Sequence, residues 1–171
     1  MSGNNVKGIA YTGLLSAFAV ILGYVESLIP IAPGIPGVKP GLANFIILIA
    51  LYEFGIKESF TINLIRILIN GMMFGNAFSI LFSLAGAFLS LLVMILVKKI
   101  KGISIIGVSI AGGVSHNAAQ MVIAALVVDT YSIIYYTPVL IISGIITGML
   151  VGILAFNIRP VVSKVKNQDK R

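Results

Sequence analysis

The 171-residue chain is 58% hydrophobic and only 10% charged, with a mean hydropathy of +1.09, whereas an ordinary soluble domain carries about 25% charged residues. That is too little charge to coat a water-facing surface. Lipid is the expected solvent, and there the backbone can pair only within helices or a closed barrel. The net charge of +7 excludes little by itself, but the absence of cysteine rules out disulfides, thiolate metal sites and cysteine nucleophiles.

The apolar runs are continuous rather than alternating, which selects helices over membrane strands. In chain order, helices are predicted over Gly8–Ile29, Gly41–Phe54, Glu58–Phe74, Ala77–Val97, Ile103–Val128 and Ile133–Ile158. The expectation is an all-α integral membrane protein: a single six-helix transmembrane domain over residues 1–171, with a short basic tail from about residue 159. Lys7 precedes helix 1, but its apolar run is long for a signal peptide and no clear cleavage site follows it, so helix 1 is expected as a permanent span.

Between helices 1 and 2, Pro30, Pro33, Pro36 and Pro40 fall within eleven residues, interleaved with Gly34 and Gly37, a composition that forbids helix and supplies turns. Helices 2 and 3 are short, about 21 and 25 Å against a hydrocarbon layer of about 30 Å. A short helix 2 beside a Pro/Gly-rich segment suggests that the segment either dips into the outer half of the protein as a lid or pocket wall, or runs as a plain surface loop. Irregular backbone at membrane depth requires burial or a cavity to line.

The cations fix an expected orientation. With the N-terminus inside, Lys7, Lys57, Lys98, Lys99, Lys101, Arg159, Lys164, Lys166, Lys170 and Arg171 fall on the cytoplasmic side and only Lys39 outside, while Arg66 lies within helix 3. This asymmetry is a positive-inside signal for an even number of spans with both ends in the cytoplasm. It makes the basic clusters topology signals, with no nucleic-acid partner expected. Tyr24, Tyr131, Tyr135 and Tyr136 then lie near the outer interface, and Tyr11 and Tyr52 near the inner one.

Polar residues inside the spans are the candidates for function. An Arg at mid-membrane costs about 2.5–3.5 kcal/mol on insertion scales and must face the bundle interior or a cavity. Ser59, Asn63, Arg66 and Asn70 recur at steps of three and four on one face of helix 3. Arg66 is then either a structural residue bonded to backbone and amide groups or a contact for an anionic or polar ligand. Helix 5 repeats the pattern with Ser109, Gly112, Gly113, His116, Asn117 and Gln120, where the small residues admit a neighbouring helix or leave room for a ligand. His116 is either a pocket hydrogen-bonding group or a packing residue. As the sole histidine in a cysteine-free chain, it makes a metal site unexpected.

The alternating helix directions bring Asn44, Arg66, Asn70, His116 and Gln120 into the outer half of the bundle, near Glu26 and Tyr135–Tyr136. Glu53 and Lys57, four apart, are expected to pair on a helix surface near the inner interface. On helix 1, Gly13 and Ala17 form one small-residue pair and Ala19 and Gly23 another, suited either to partner docking or to internal packing. Catalysis is not expected. Magnesium-diphosphate chemistry calls for clustered carboxylates, and the two aspartates, Asp129 and Asp169, lie in a loop and the tail. No Gly-rich phosphate loop with an adjacent Lys is present either.

The segment Pro36-Gly37-Val38-Lys39-Pro40-Gly41-Leu42-Ala43-Asn44, the stretch Leu51–Gly55, Arg66, the run Phe82–Ala87, and Gly107–Ser109 through Ser115–Gln120 together resemble the bacterial membrane family called heptaprenyl diphosphate synthase component I, also known as the Gx transporter family. Lys39-Pro40 departs from the commoner Lys-Leu pairing. The resemblance implies an architecture similar to the substrate-binding S-components of energy-coupling-factor (ECF) transporters, which have six helices, a loop covering an outward-facing pocket, and small residues on helix 1 that dock a coupling subunit. It also implies proximity to flavin-linked electron transfer. The functional expectation is a multi-pass, non-catalytic subunit of the bacterial cytoplasmic membrane, with no cofactor of its own. Its ligand, vitamin-, quinone-precursor- or flavin-like, would contact Lys39, Asn44, Arg66, Asn70, His116, Asn117 and Gln120. Gly13 and Ala17 would face ECF coupling and ATPase subunits. The alternative is an accessory membrane subunit of isoprenoid-quinone synthesis or flavin-linked electron transfer.

Overall fold

A computed structural model describes residues 3–28, 41–128 and 135–168. They form six helices, α1 (Gly3–Ser27), α2 (Leu42–Glu53), α3 (Ile56–Phe74), α4 (Ala77–Lys98), α5 (Ile105–Val128) and α6 (Thr137–Gln168), with no strand among them. Four of the six, α1, α4, α5 and α6, are long and apolar enough to cross a membrane. Exposed Leu14, Phe18 and Ile21 on α1, Phe88, Leu92 and Leu96 on α4, and Ile142, Ile146 and Leu150 on α6 give the bundle an apolar coat that only lipid suits. The chain is a multi-pass membrane protein.

The shortest helix is the axis. In α2 every residue from Ile46 to Leu51 is buried, as expected of a helix that is apolar all round. Around it pack Ala19 of α1, Ile62 of α3, Leu91 and Met94 of α4, Val108 of α5, and Val151 and Ala155 of α6. The closest approach is between α5 and α6. Cβ atoms added at Gly144, Gly148 or Gly152 would come within 2.7–2.9 Å of the α5 backbone, so the absence of side chains there sets the helix separation.

Two residues join α2 to α3 and two join α3 to α4, and such short connections make antiparallel neighbours. Phe54 and Gly55, the latter at φ 121°, join α2 to α3. Asn76 opens α4 with a capping box, its side chain accepting from Ser79 N while Ser79 Oγ accepts from Asn76 N. The C-terminal ends of α2, α4 and α6 therefore meet at one end of the bundle. Lys98 Nζ donates to Leu51 O at 2.7 Å and lies 4.5 Å from the Tyr52 ring centroid. Arg159 pairs with Glu53 at 2.7 Å and also covers the Tyr52 ring, while Lys166 donates to Glu53 O. Cations thus complete the exposed carbonyl end of α2, where the helix dipole favours them. At this end Tyr11 stacks near Phe54, and at the other Tyr24 stacks near Phe74.

Two expectations are corrected. The basic segment from residue 159 is not a tail. It is the last three turns or so of α6, which runs through Pro160 to Gln168 because Arg159 and Lys166 are held at Glu53. Nor does Glu53 pair with Lys57, because α2 stops at Glu53 and the Phe54–Gly55 break destroys the helical spacing; Arg159 takes Lys57's place. At the start of α6, Tyr135 and Tyr136 are exposed at the bundle end and do not reach its interior.

Candidate ligand-binding site

A cavity of about 170 Å³ lies in the half of the bundle away from the basic end. It is bounded by the C-terminal parts of α1, α3 and α5 and the N-terminal parts of α2, α4 and α6. The helical spacing on α3 places Arg66 and Asn70 in its wall, and the spacing on α5 places His116, Asn117 and Gln120 there; Asn44 of α2 and Glu26 of α1 complete the polar lining. Two volumes of about 350 and 480 Å³ between α3 and α4 are larger. Their walls are Phe60, Leu81, Phe88, Leu91 and similar side chains on the lipid-facing side. Of these three volumes the central cavity is the one whose described lining gathers polar groups from all six helices, and convergent polar groups are what orients a small ligand.

Arg66 is held, but not used up. Its Nε donates to Asn63 Oδ1 at 2.9 Å and its Nη2 to Asn44 Oδ1 at 3.0 Å. A guanidinium carries five N–H donors, so three remain for the cavity. Glu26 lies within electrostatic reach of Arg66 and is itself buried, with Oε1 accepting from Gly41 N. Gly41 has φ 76°, a left-handed conformation natural to glycine, and this turn lets α2 start against the end of α1. The pair of opposite charges and two asparagines spares the membrane interior a lone cation.

The amides behave differently from one another. Asn117 Nδ2 donates to Leu140 O at 2.8 Å and ties α5 to α6, so this predicted ligand residue is partly structural. Asn70 Oδ1 and Gln120 Oε1 are buried with no hydrogen-bond partner among the described residues. Glycines make room for these groups. A Cβ at Gly23 would overlap the Asn70 amide, and one at Gly86 would come within 2.8 Å of the His116 ring and 3.0 Å of Gln120 Cγ. Ser109 and Gly112, expected on the same face, border an adjoining space of about 20 Å³ with Asn44 and Ser90, enough for one water.

Asn44, Arg66, Asn70, His116, Asn117 and Gln120 are thus brought together. Lys39 and the Pro/Gly-rich segment lie outside the described residues. Gly13 and Ala17 are exposed on α1, well away from the cavity, and nothing lies within 4 Å of a Cβ built at Gly13; Ala19 is buried, and Gly23 meets Asn70. Ser79, Ser83 and Thr147 also line the cavity and were not singled out from sequence. Hydroxyls inside membrane helices so often bond their own backbone, as Thr147 does to Ser143 O at 2.8 Å, that they carry little signal. Among the described residues no group of three His, Cys, Asp or Glu side chains is placed to hold a metal ion.

The family model described as heptaprenyl diphosphate synthase component I matches residues 15–158. The chain belongs to this family. The match runs from the middle of α1 to the last residue before Arg159, so it takes in the described lining of the cavity and leaves out the first half of α1 and the basic extension of α6. No curated protein and no solved structure matches the chain. Membership makes it a membrane component of a family whose description names a synthase component, and the lipid bilayer its surroundings.

Proposed function

We propose that this protein is the small-molecule-binding membrane subunit of an uptake system, non-catalytic in itself, with its ligand in the cavity around Arg66. The observation that carries the reading is that Arg66, with spare donors, lines one cavity at one end of the bundle together with Asn70 and Gln120, whose amide oxygens are buried without a partner among the described residues. A structural arginine network would be paired to completion, since each buried unsatisfied group costs about 1–3 kcal/mol. The concentration of basic residues at the opposite end supports loading from outside. Exposed Gly13 and Ala17 on α1 suit a docked partner helix, and coupling to ATP would come from such partner subunits of ECF type. Vitamin-, quinone-precursor- and flavin-like ligands are the candidates.

The test is equilibrium dialysis of the purified protein against small-molecule extract of its own cells, read by mass spectrometry. The wild type is expected to enrich a ligand that Arg66→Ala and His116→Ala each lose by tenfold or more, about 1.4 kcal/mol at the site. Equal enrichment by both variants would remove the site.

The family description names a component of heptaprenyl diphosphate synthase and so supports a second reading, a membrane accessory of that synthesis; with it we carry the wider alternative of a non-catalytic accessory of isoprenoid-quinone synthesis or flavin-linked electron transfer. Affinity purification from membranes separates the two. Coupling and ATPase subunits in the eluate support uptake, and a soluble prenyl synthase or redox protein supports the accessory role.

A further inference from the structure

We infer that the apolar groove between α3 and α4 seats one anionic phospholipid of the cytoplasmic leaflet, with an acyl chain in the groove and the phosphate at Lys57 and Lys99. This face is separate from the Arg66 cavity, and the lipid seat does not depend on a ligand there.

The groove follows from how the two helices meet. At the end away from the basic cluster α3 touches α4, where a Cβ built at Gly71 would overlap Ile80; the bare backbone lets the helices close there. Towards the basic end the contact opens. The two volumes of about 350 and 480 Å³ share Phe60, Phe88 and Leu91, so they adjoin on one face. Their walls run from Ile67 back to Lys57 on α3, and from Leu81 on to Ile95 on α4. At about 1.5 Å per residue these stretches are about 15 and 21 Å long. One leaflet's half of a hydrocarbon layer of about 30 Å is about 15 Å. The groove is thus about one leaflet deep, and on the positive-inside orientation that leaflet is the cytoplasmic one.

The walls suit hydrocarbon. Phe60, Leu81, Phe88 and Leu92 are exposed in them, so a chain can reach these side chains directly. The polar side chains at the same face are turned inward or to their own helix. Asn63 is buried and its Oδ1 accepts from Arg66 Nε at 2.9 Å, while Thr61 Oγ1 donates to Lys57 O at 2.9 Å.

Charge gathers at the open end. Lys57 lines the groove from α3. Lys99 follows Leu92 and Ile95 on α4 at steps of three and four, hence on the same face, and its right-handed helical backbone keeps that register. Both lysines are exposed. Lys98, by contrast, donates to Leu51 O, and Glu58, the acid of the first α3 turn, does not line the groove. Two exposed cations at the mouth of an apolar groove complement a phosphate that heads an acyl chain. Each lysine close to anionic lipid strengthens binding by about fivefold. The groove's reach favours a phospholipid over a long polyprenyl diphosphate, whose chain would run past the closed end at Gly71 and Ile80.

The test is a native mass-spectrometry titration of the purified full-length protein in detergent, with phosphatidylglycerol and with phosphatidylcholine of the same acyl chains. The expected result is phosphatidylglycerol binding about tenfold tighter or more, a preference that the double variant Lys57→Gln/Lys99→Gln loses. Ala85→Phe, which places a ring in the groove, should weaken both lipids. Helical circular dichroism shows whether each variant folds, and if Ala85→Phe does not, the double lysine variant decides. Equal binding of the two lipids by the wild type overturns the anionic seat. A preference unchanged in the lysine variant overturns its placement at Lys57 and Lys99, and lipid binding unchanged in folded Ala85→Phe overturns the groove as the seat of the chain. Displacement of phosphatidylglycerol by tighter-binding geranylgeranyl diphosphate overturns the phospholipid as occupant. None of these outcomes bears on the Arg66 cavity, which the extract experiment reads separately.

Discussion

Gly86 of α4 offers the sharpest test of how the cavity is built. A Cβ there would sit 2.8 Å from His116 Cε1, 2.9 Å from His116 Nε2 and 3.0 Å from Gln120 Cγ. Ordinary carbon contacts begin at about 3.5 Å, so Gly86→Ala obliges both side chains to retreat by roughly half an ångström or more. All three neighbours are side-chain atoms, so they can yield, and they belong to residues that line the cavity, so their displacement should alter the space a ligand needs. The stability cost should fall at the low end of the overpacking range, about 1 kcal/mol, or a loss of about 2–4 °C in Tm for a chain of this length. Affinity for the ligand that the wild type enriches should fall by about tenfold or more. Two other glycines calibrate the measurement. Gly13→Ala meets nothing within 4 Å and should melt like the wild type. Gly148→Ala places its Cβ 2.7 Å from Ile110 Cα and 2.9 Å from Ser109 O, which are backbone atoms that cannot turn aside. Its cost should reach about 3 kcal/mol or more, some 6–12 °C. Circular dichroism at the helical band reads all three without relying on tryptophan, of which the chain has none. If Gly86→Ala melted and bound like Gly13→Ala, α4 and α5 would not meet at Gly86, and His116 and Gln120 would not share the cavity as described.

The remaining predictions concern orientation and the inner end. Because the chain has no cysteine, a single Lys101→Cys or Tyr135→Cys substitution gives labelling without background. A membrane-impermeant maleimide should modify Tyr135→Cys on intact cells and Lys101→Cys only in inverted vesicles, and the reverse pattern would overturn the positive-inside orientation. Arg159→Ala removes a half-exposed partner of a nearly buried Glu53 and one cation over the Tyr52 ring. The expected cost is about 1 kcal/mol, a Tm lower by about 2–4 °C. The wild-type advantage should shrink in high salt, and a variant that melts like the wild type would show that this contact does not hold the end of α6.

The architecture was legible because lipid enforces simple rules. Long apolar runs at α4 and α5 leave few alternatives, and their predicted ends lie within two residues of the observed ones. The spacing of Arg66 and Asn70 on α3, and of His116, Asn117 and Gln120 on α5, was enough to bring those residues to one cavity, because a helix fixes which side chains share a face. What the spacing could not supply was the pairing between helices. That Asn117 would spend its amide on Leu140 O while Gln120 would spend none depends on where α6 lies. The end of α6 was missed for a related reason. Arg159-Pro160 reads locally as a stop, since proline removes a helical donor, and only the approach of Glu53 from the distant end of α2 holds those turns in place. The same contact took Glu53 from Lys57, a pairing that spacing alone had favoured.

The two ends of the bundle treat their polar groups differently, and the difference bears on function. At the basic end three cations are packed on the α2 terminus, each with partners: Lys98 a carbonyl and a ring, Lys166 a carbonyl and the Phe54 ring, Arg159 a carboxylate and a ring. That is how this protein satisfies charge when the purpose is to hold helices together. Around the cavity the same chain stops short. Arg66 keeps three donors unspent, and the amide oxygens of Asn70 and Gln120 are buried without a partner among the described residues. Filling the space with leucine-sized side chains would remove those costs, about 1–3 kcal/mol for each unpaired group, and the neighbouring helices supply such side chains freely. A bundle that completes its polar contacts at one end and withholds them at the other is what the proposed ligand site at the second requires.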